Sequence, residues 1–217
     1  MKTSIIVPCY GGYAQYLPAC IDSLLKQTVP VEIIIATDGR TPAIRKMFDD
    51  SVKIVVKHSQ SQPVLINFGF RFAKGKYFLD MGCDDLLEPT YIEEAEKILE
   101  ENPGYDVYLP VYRKFGGADG LWIADGMSRD MLFGNTMLMG SVMKRTLWES
   151  LGGFDEKIPH DAYYDWEFWI RAYKAGAVVY KGDKPLYKYH MKTGGTAEWF
   201  PNYGTQFLDY AKAKGTL

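Results

Sequence analysis

An α/β fold with a largely parallel sheet is predicted by three features of this 217-residue chain. Short β-branched runs alternate with segments of helical period through residues 1–80, the pattern that builds parallel sheets. Hydrophobic residues make up 47% of the chain, ample for the core of a single domain. Polar or acidic residues close three of the strand-like runs, at the edge where such sheets bind ligands.

Taken in order, Ser4–Pro8 forms the first strand and runs into Cys9-Tyr10-Gly11-Gly12. Residues 16–27 then place Leu17, Cys20, Ile21, Leu24 and Leu25 at the three-and-four spacing of a helix stripe. Glu32–Ala36 is the second strand, ending in Thr37-Asp38-Gly39-Arg40. A helix at 41–48, a strand at Lys53–Lys57 and a helix at 62–74 lead to the strand Lys76–Leu79. The run after Pro89 is a solvated helix stopped by Asn102-Pro103-Gly104, and a strand at Asp106–Val111 follows. Residues 112–135 are irregular and rich in glycine, aromatics and methionine, a length of connection that usually carries function. Beyond them come an apolar stretch at 136–143, a short helix at 144–150 and the turn GGFDE. An aromatic helix at 163–176, strands at Ala177–Tyr180 and 185–190, and a tail expected to act as a flap complete the chain.

The formal charge of −2 gives no basic footprint for nonspecific nucleic-acid binding. Cys9, Cys20 and Cys83 are odd in number and far apart, as expected of free thiols in a reducing compartment. The first apolar run is too short for a signal peptide, and no stretch reaches the roughly 18 apolar residues of a membrane span. A cytoplasmic protein without an integral membrane segment is the expectation.

Residues 75–89 read GKYFLDMGCDDLLEP, in which a short strand runs into Asp80, Asp84 and Asp85. Carboxylates at a strand end either cap the turn or hold a divalent cation against a phosphorylated ligand.

The segments SIIVPCYG, YLPACIDSLLKQT, EIIIATDG, NFGFRFAKGKY, CDDLLEP, GGFDE and YYDWEFWIRAYKAG occur in an order that resembles family 2 of the glycosyltransferases. That resemblance covers residues 4 to about 190. It implies a single GT-A domain over 1–217, with a nucleotide-sugar half at about 1–110 and an acceptor half with a C-terminal flap at about 111–217. The central sheet would be Rossmann-like and flanked by helices, with a small acceptor-side subregion. The donor would be a nucleotide-diphospho-sugar, transferred with inversion to the hydroxyl of a glycan, lipid-linked glycan, protein or modified nucleic-acid base. Mn²⁺ or Mg²⁺ would assist.

The same resemblance implies the site residues. Pro8 and Tyr10 begin the nucleotide pocket, Asp38 hydrogen-bonds the base, and Asn67 and Gly75 help to hold the nucleotide and the metal loop. In the family's DxD pattern Gly82 replaces the first aspartate and Asp84 is the retained second one, the expected metal and diphosphate ligand. Asp80 is placed to compensate if the loop rearranges. Asp165 matches the catalytic base, with Tyr164 where an acid usually precedes it. Asp161, one helical turn earlier, is the second candidate, and Glu167 points away around the helix. His190 is a second metal or diphosphate contact, whereas Lys192 and the turn Gly194-Gly195-Thr196 are placed to cradle phosphate. Trp122 and Trp166 are candidates for an acceptor groove. Two other classes are compatible with the pattern. One is a degenerate sugar-nucleotide or glycan-binding module, suggested by Gly11, Thr37, Gly82 and Tyr164. The other is a nucleotidyltransferase, disfavoured by the uncharged turn at 9–13.

Overall fold

The computed structural model describes residues 1–192 and 200–217. The predicted alternation is present throughout. Strand β1 (Thr3–Cys9), helix α1 (Leu17–Leu25), β2 (Val31–Thr37), α2 (Ile44–Met47), β3 (Val52–Val56), α3 (Gln62–Phe70) and β4 (Tyr77–Asp80) build the first half. They are followed by β5 (Leu86–Leu87), α4 (Tyr91–Glu101), β6 (Val107–Leu109), β7 (Tyr112–Gly116) and β8 (Gly120–Trp122). The chain continues through β9 (Val142–Lys144), α5 (Arg145–Ser150), α6 (Tyr164–Lys174), β10 (Val179–Lys181), β11 (Tyr187–Met191) and α7 (Phe200–Lys214).

The central sheet has the order β10-β6-β9-β4-β1-β2-β3. Its β4-β1-β2-β3 portion is parallel, as is the β10-β6 pair, and β9 runs antiparallel between the two blocks. Every residue of β1 is buried, which is why TSIIVPC lacks the alternation of a half-exposed strand. Pro8 is tolerated in this central strand because β4 stops opposite Ile6, two residues earlier, so no ladder bond is lost on that side. The stripe of α1 is buried at Leu17, Cys20, Ile21 and Leu24, whereas Leu25 lies on the solvent flank. Two strands from the second half of the chain, β9 and β10, join the central sheet, so both halves share it.

A second sheet, β5-β11-β7-β8, forms the small subregion, and two of its strands come from the stretch expected to be irregular. Residues 112–122 form the β7–β8 hairpin there, with Trp122 opposite Tyr112. Gly140 lies under this sheet with φ +82, and a Cβ there would meet the Tyr187 ring at 2.3 Å, so the loop into β9 needs glycine. No helix among the described residues is long and apolar enough to cross a membrane.

Candidate active site

The carboxyl ends of β1 and β4 and the second sheet enclose a cavity of about 560 Å³. Its walls bring together Pro8 and Tyr10 from the end of β1, Asp84 from the loop after β4, Asp165 from the first turn of α6, and His190 and Lys192 from the end of β11. These six residues are spread over 185 positions of sequence, and the sheet topology makes them neighbours. The volume lies within the range of ordinary small-ligand sites.

Asp165 is buried on this wall. Its Oδ2 accepts from Asn135 Nδ2 at 3.2 Å and from the Met139 N–H at 3.3 Å, and Oδ1 accepts from the Trp166 N–H at 2.7 Å. Burial outweighs these donors and pushes its pKa up to about 7. Asn135 Oδ1 in turn accepts from the Met137 N–H, which fixes the amide with its donors toward Asp165. The sequence offered no signal for Asn135, because it sits in the connection from β8 to β9 and meets Asp165 only through tertiary packing. Asp161 also lines the cavity, but its carboxylate caps α3, accepting from the Gln62 N–H at 2.5 Å and the Ser61 hydroxyl at 3.1 Å.

The three acids of the opening motif have separate fates. Asp80 is fully buried and accepts the Tyr164 hydroxyl at 2.7 Å. Burial raises its pKa to about 6 despite that bond. It is therefore engaged away from the loop and does not compensate for Gly82, and the tyrosine in place of the usual acid is its partner. Asp85 accepts from the Tyr187 hydroxyl at 2.7 Å and from the His190 N–H at 2.8 Å, pinning the loop to β11. Burial, and then the neighbouring charge of Asp84, raises its pKa. Only Asp84 presents its carboxylate to a cation, and that cation is Lys192, with Nζ 2.6 Å from Oδ2.

The donor set decides whether a divalent ion fits. Such an ion on a nucleotide takes one or two carboxylates together with phosphate oxygens. His190 Nδ1 is 3.6 Å from Asp84 Oδ2, buried and without a hydrogen-bond partner, so the expected pair does converge. The Lys192 ammonium already sits on the same oxygen, and no group of three His, Cys, Asp or Glu converges among the described residues. A Cβ on Gly82 would lie 2.9 Å from both Asp84 Oδ1 and Asp85 Oδ2, so a second acid there would require those carboxylates to shift. As arranged, the residues do not fit a resident divalent cation. Lys192 is held protonated, because the hydrogen bond and charge of Asp84 outweigh its desolvation.

Three expected donor-site residues lie off the cavity wall. Asp38 follows the end of β2, beside Tyr10; its Oδ1 accepts from the Arg40 N–H at 3.0 Å, and its buried Oδ2 has no hydrogen-bond partner. Asn67 faces the GGFDE turn instead, donating to the Phe154 carbonyl at 2.8 Å and accepting from its N–H at 2.9 Å. Gly75 sits at the opposite end of β4, where its N–H donates to Ser4 Oγ at 2.8 Å. A Cβ there would come within 2.6 Å of the Ser4 backbone nitrogen, so close backbone approach, not ligand binding, demands this glycine. Gly75→Ala is therefore expected to destabilise the fold by about 1–3 kcal/mol, the usual cost of overpacking. Thermal unfolding should show that loss, with nucleotide affinity unchanged.

Of the aromatic candidates, Trp122 lines the cavity, whereas Trp166 is core, with its indole N–H donating to the Met131 carbonyl at 2.6 Å. His58 Nδ1 lies 3.1 Å from the Asp38 carbonyl oxygen, and His160 Nδ1 accepts from the Ala162 N–H at 3.2 Å. Neither histidine reaches the cavity wall. The turn Gly194-Gly195-Thr196 and the rest of residues 193–199 lie outside the described residues, and the expected flap continues as α7.

Fold and cavity define an α/β protein with a cavity at the carboxyl edge of its sheet. The profile of Glycosyl transferase family 2 matches residues 4–160, and the chain belongs to that family. An uncharacterized glycosyltransferase of Rickettsia typhi is 28% identical over 198 residues, covering 82% of this chain and 60% of that protein. The chondroitin synthase of Pasteurella multocida is 32% identical over 177 residues, covering 75% of this chain and 18% of that protein. This chain thus spans about 60% of the Rickettsia relative's length. Staphylococcus aureus TarS 1-349 in complex with UDP-GlcNAc superposes with a TM-score of 0.75 at 20% identity, covering 91% of this chain and 61% of TarS 1-349. The mannosyltransferase PcManGT of Pyrobaculum calidifontis, in complex with GDP-Man and Mn²⁺, superposes at 0.71 with 18% identity, covering 98% of this chain and 64% of that one. At these identities the structural likenesses concern the fold.

Proposed function

We propose that this chain transfers a sugar from a nucleotide-diphospho-sugar to an acceptor hydroxyl, with inversion, using Asp165 as the base. The observation that carries this reading is a buried carboxyl with a pKa near neutrality on the wall that also holds Lys192, His190 and Asp84. A base of that strength is half ionised at working pH, where proton abstraction is most efficient. The acceptor hydroxyl gives its proton to Asp165 while its oxygen bonds to the anomeric carbon. The bond from that carbon to the diphosphate oxygen breaks on the opposite face, and the leaving diphosphate keeps the electron pair. Asn135 holds the Asp165 carboxylate in line, and Tyr10 and Trp122 supply aromatic walls for base or sugar.

The buried Oδ2 of Asp38 lacks a hydrogen bond and has only the Arg40 guanidinium at 3.9 Å, which supports its assignment to the nucleotide base, because an acceptor left without a hydrogen bond at a strand end favours a ligand N–H. A divalent ion held by Asp84 and His190 would require Lys192 to withdraw from Asp84 first. The S. aureus and P. calidifontis structures, which hold UDP-GlcNAc and GDP-Man, make UDP- and GDP-sugars the first donors to try.

The test is calorimetry with UDP-, GDP- and dTDP-sugars on wild type and Asp38→Ala. One nucleotide class should bind, and the variant should weaken it about tenfold, the worth of a hydrogen bond to a charged acceptor. Absence of binding by every sugar nucleotide would overturn the reading.

A further inference from the structure

We infer that Lys192 is the resident cation of this site, and that its ammonium, in place of a divalent metal, meets the diphosphate of the donor. The inference rests on the proposed function and adds to it how the leaving group is neutralised.

Four observations converge on this lysine. Its Nζ lies 2.6 Å from Asp84 Oδ2, on the one carboxylate of the loop that is not spent on a tyrosine hydroxyl. The same ammonium stands 4.0 Å from the centroid of the Tyr13 ring and 5.4 Å from that of Tyr16, so two π-faces and a carboxylate fix its place. Both rings belong to the turn that follows β1, the segment that also carries the Pro8 and Tyr10 edge of the cavity. The side chain is only 20% exposed, which keeps the charge out of bulk water and strengthens it toward an anion.

The surroundings deny a metal what they give the lysine. Asp80 is turned to Tyr164, and Asp85 is bound by Tyr187 and the His190 N–H. A Cβ at Gly82 would crowd Asp84 Oδ1 and Asp85 Oδ2, both at 2.9 Å, and no carboxylate stands there. Asp84 is then a positioning residue that orients an ammonium. An ammonium has three N–H donors; Asp84 takes one and the Tyr13 side chain a second, which leaves a donor to turn to a phosphate oxygen. A lysine acts there as a point charge, as it does in other phosphate sites.

The metal-based and lysine-based arrangements differ in measurable ways. Calorimetric titrations with UDP, GDP and dTDP, in EDTA and in Mn²⁺, would use wild type, Lys192→Ala, Lys192→Arg and Asp84→Asn. Wild type is expected to bind one nucleoside diphosphate with the same affinity in EDTA and in Mn²⁺, within about twofold. Lys192→Ala should weaken that binding about 10- to 100-fold in EDTA, and Lys192→Arg should recover most of it, which separates charge from fold. Asp84→Asn should weaken binding less than Lys192→Ala, whereas a metal site demands the reverse. Wild-type binding that EDTA abolishes and Mn²⁺ restores would overturn the inference and leave the proposed function standing. So would wild-type affinity in Lys192→Ala. Failure of all three diphosphates under every condition would overturn both.

Discussion

Asp165→Asn is expected to lower the rate of sugar transfer about 10²- to 10⁴-fold, the usual contribution of a positioned base, while nucleotide affinity stays within about twofold. The isosteric amide keeps a carbonyl oxygen for the Asn135 and Met139 donors but cannot take the acceptor's proton. Because Asp165 must be ionised to act, the wild-type rate should rise through pH about 7 and level off above it. Steady-state rates against pH for both proteins check this, and a variant with undiminished turnover would remove Asp165 from the chemistry.

The same carboxyl carries a stability signature of defined sign. Its folded pKa is raised above the unfolded value, so between pH about 4 and about 7 the folded state binds more protons than the unfolded state. Stability is therefore lost as pH rises through that window, by at most about 4 kcal/mol for Asp165. Asp80 and Asp85, also raised by burial, add in the same direction. Asp165→Asn should flatten part of the decline in thermal unfolding recorded from pH 5 to pH 8.

The second large effect is structural. Glu167 is fully buried and receives Arg171 Nε at 2.9 Å on both carboxylate oxygens, Arg171 Nη2 at 2.8 Å, Lys214 at 2.9 Å and the Thr216 hydroxyl at 3.2 Å. Arg171 passes the restraint on to the GGFDE turn through the carbonyls of Leu151, just before it, and Gly153, within it, at 2.6 and 2.8 Å. Lys214, at the end of α7, also reaches Asp155 at 2.7 Å, so the same cluster docks the C-terminal helix. Glu167→Ala would leave a half-buried guanidinium without its counter-ion and release α7. We expect a loss of about 3–5 kcal/mol, on the order of 10 °C in melting temperature for a chain of this size. A melting temperature within a degree or two of wild type would contradict this account of the cluster.

Much of the architecture was legible because it is local. The alternation of β-branched and three-and-four runs located β1 to β4 and α1 to α6, since hydrophobic period is set within a few residues. The helical angle between Asp165 and Glu167 was legible for the same reason, and it places one on the cavity wall and the other in the core. The second sheet was not legible, because β11 pairs with β7 about 75 residues away and neither strand declares its partner. The partners of the acids were hidden likewise. Nothing local shows that Asp80 belongs to Tyr164, that Asp85 belongs to Tyr187, or that Lys192 folds back onto Asp84. Asn67 and Gly75 follow the family pattern in type, and their contacts here hold the GGFDE turn and the start of β1.

The most direct test of in-line transfer at this cavity is the configuration of the first sugar released. With the best-binding nucleotide sugar and water as acceptor, proton NMR recorded before mutarotation identifies the anomer. Release of the anomer opposite to that in the donor, by wild type and not by Asp165→Asn, is the predicted result. Release of the same anomer would require a different mechanism and contradict the role given to Asp165.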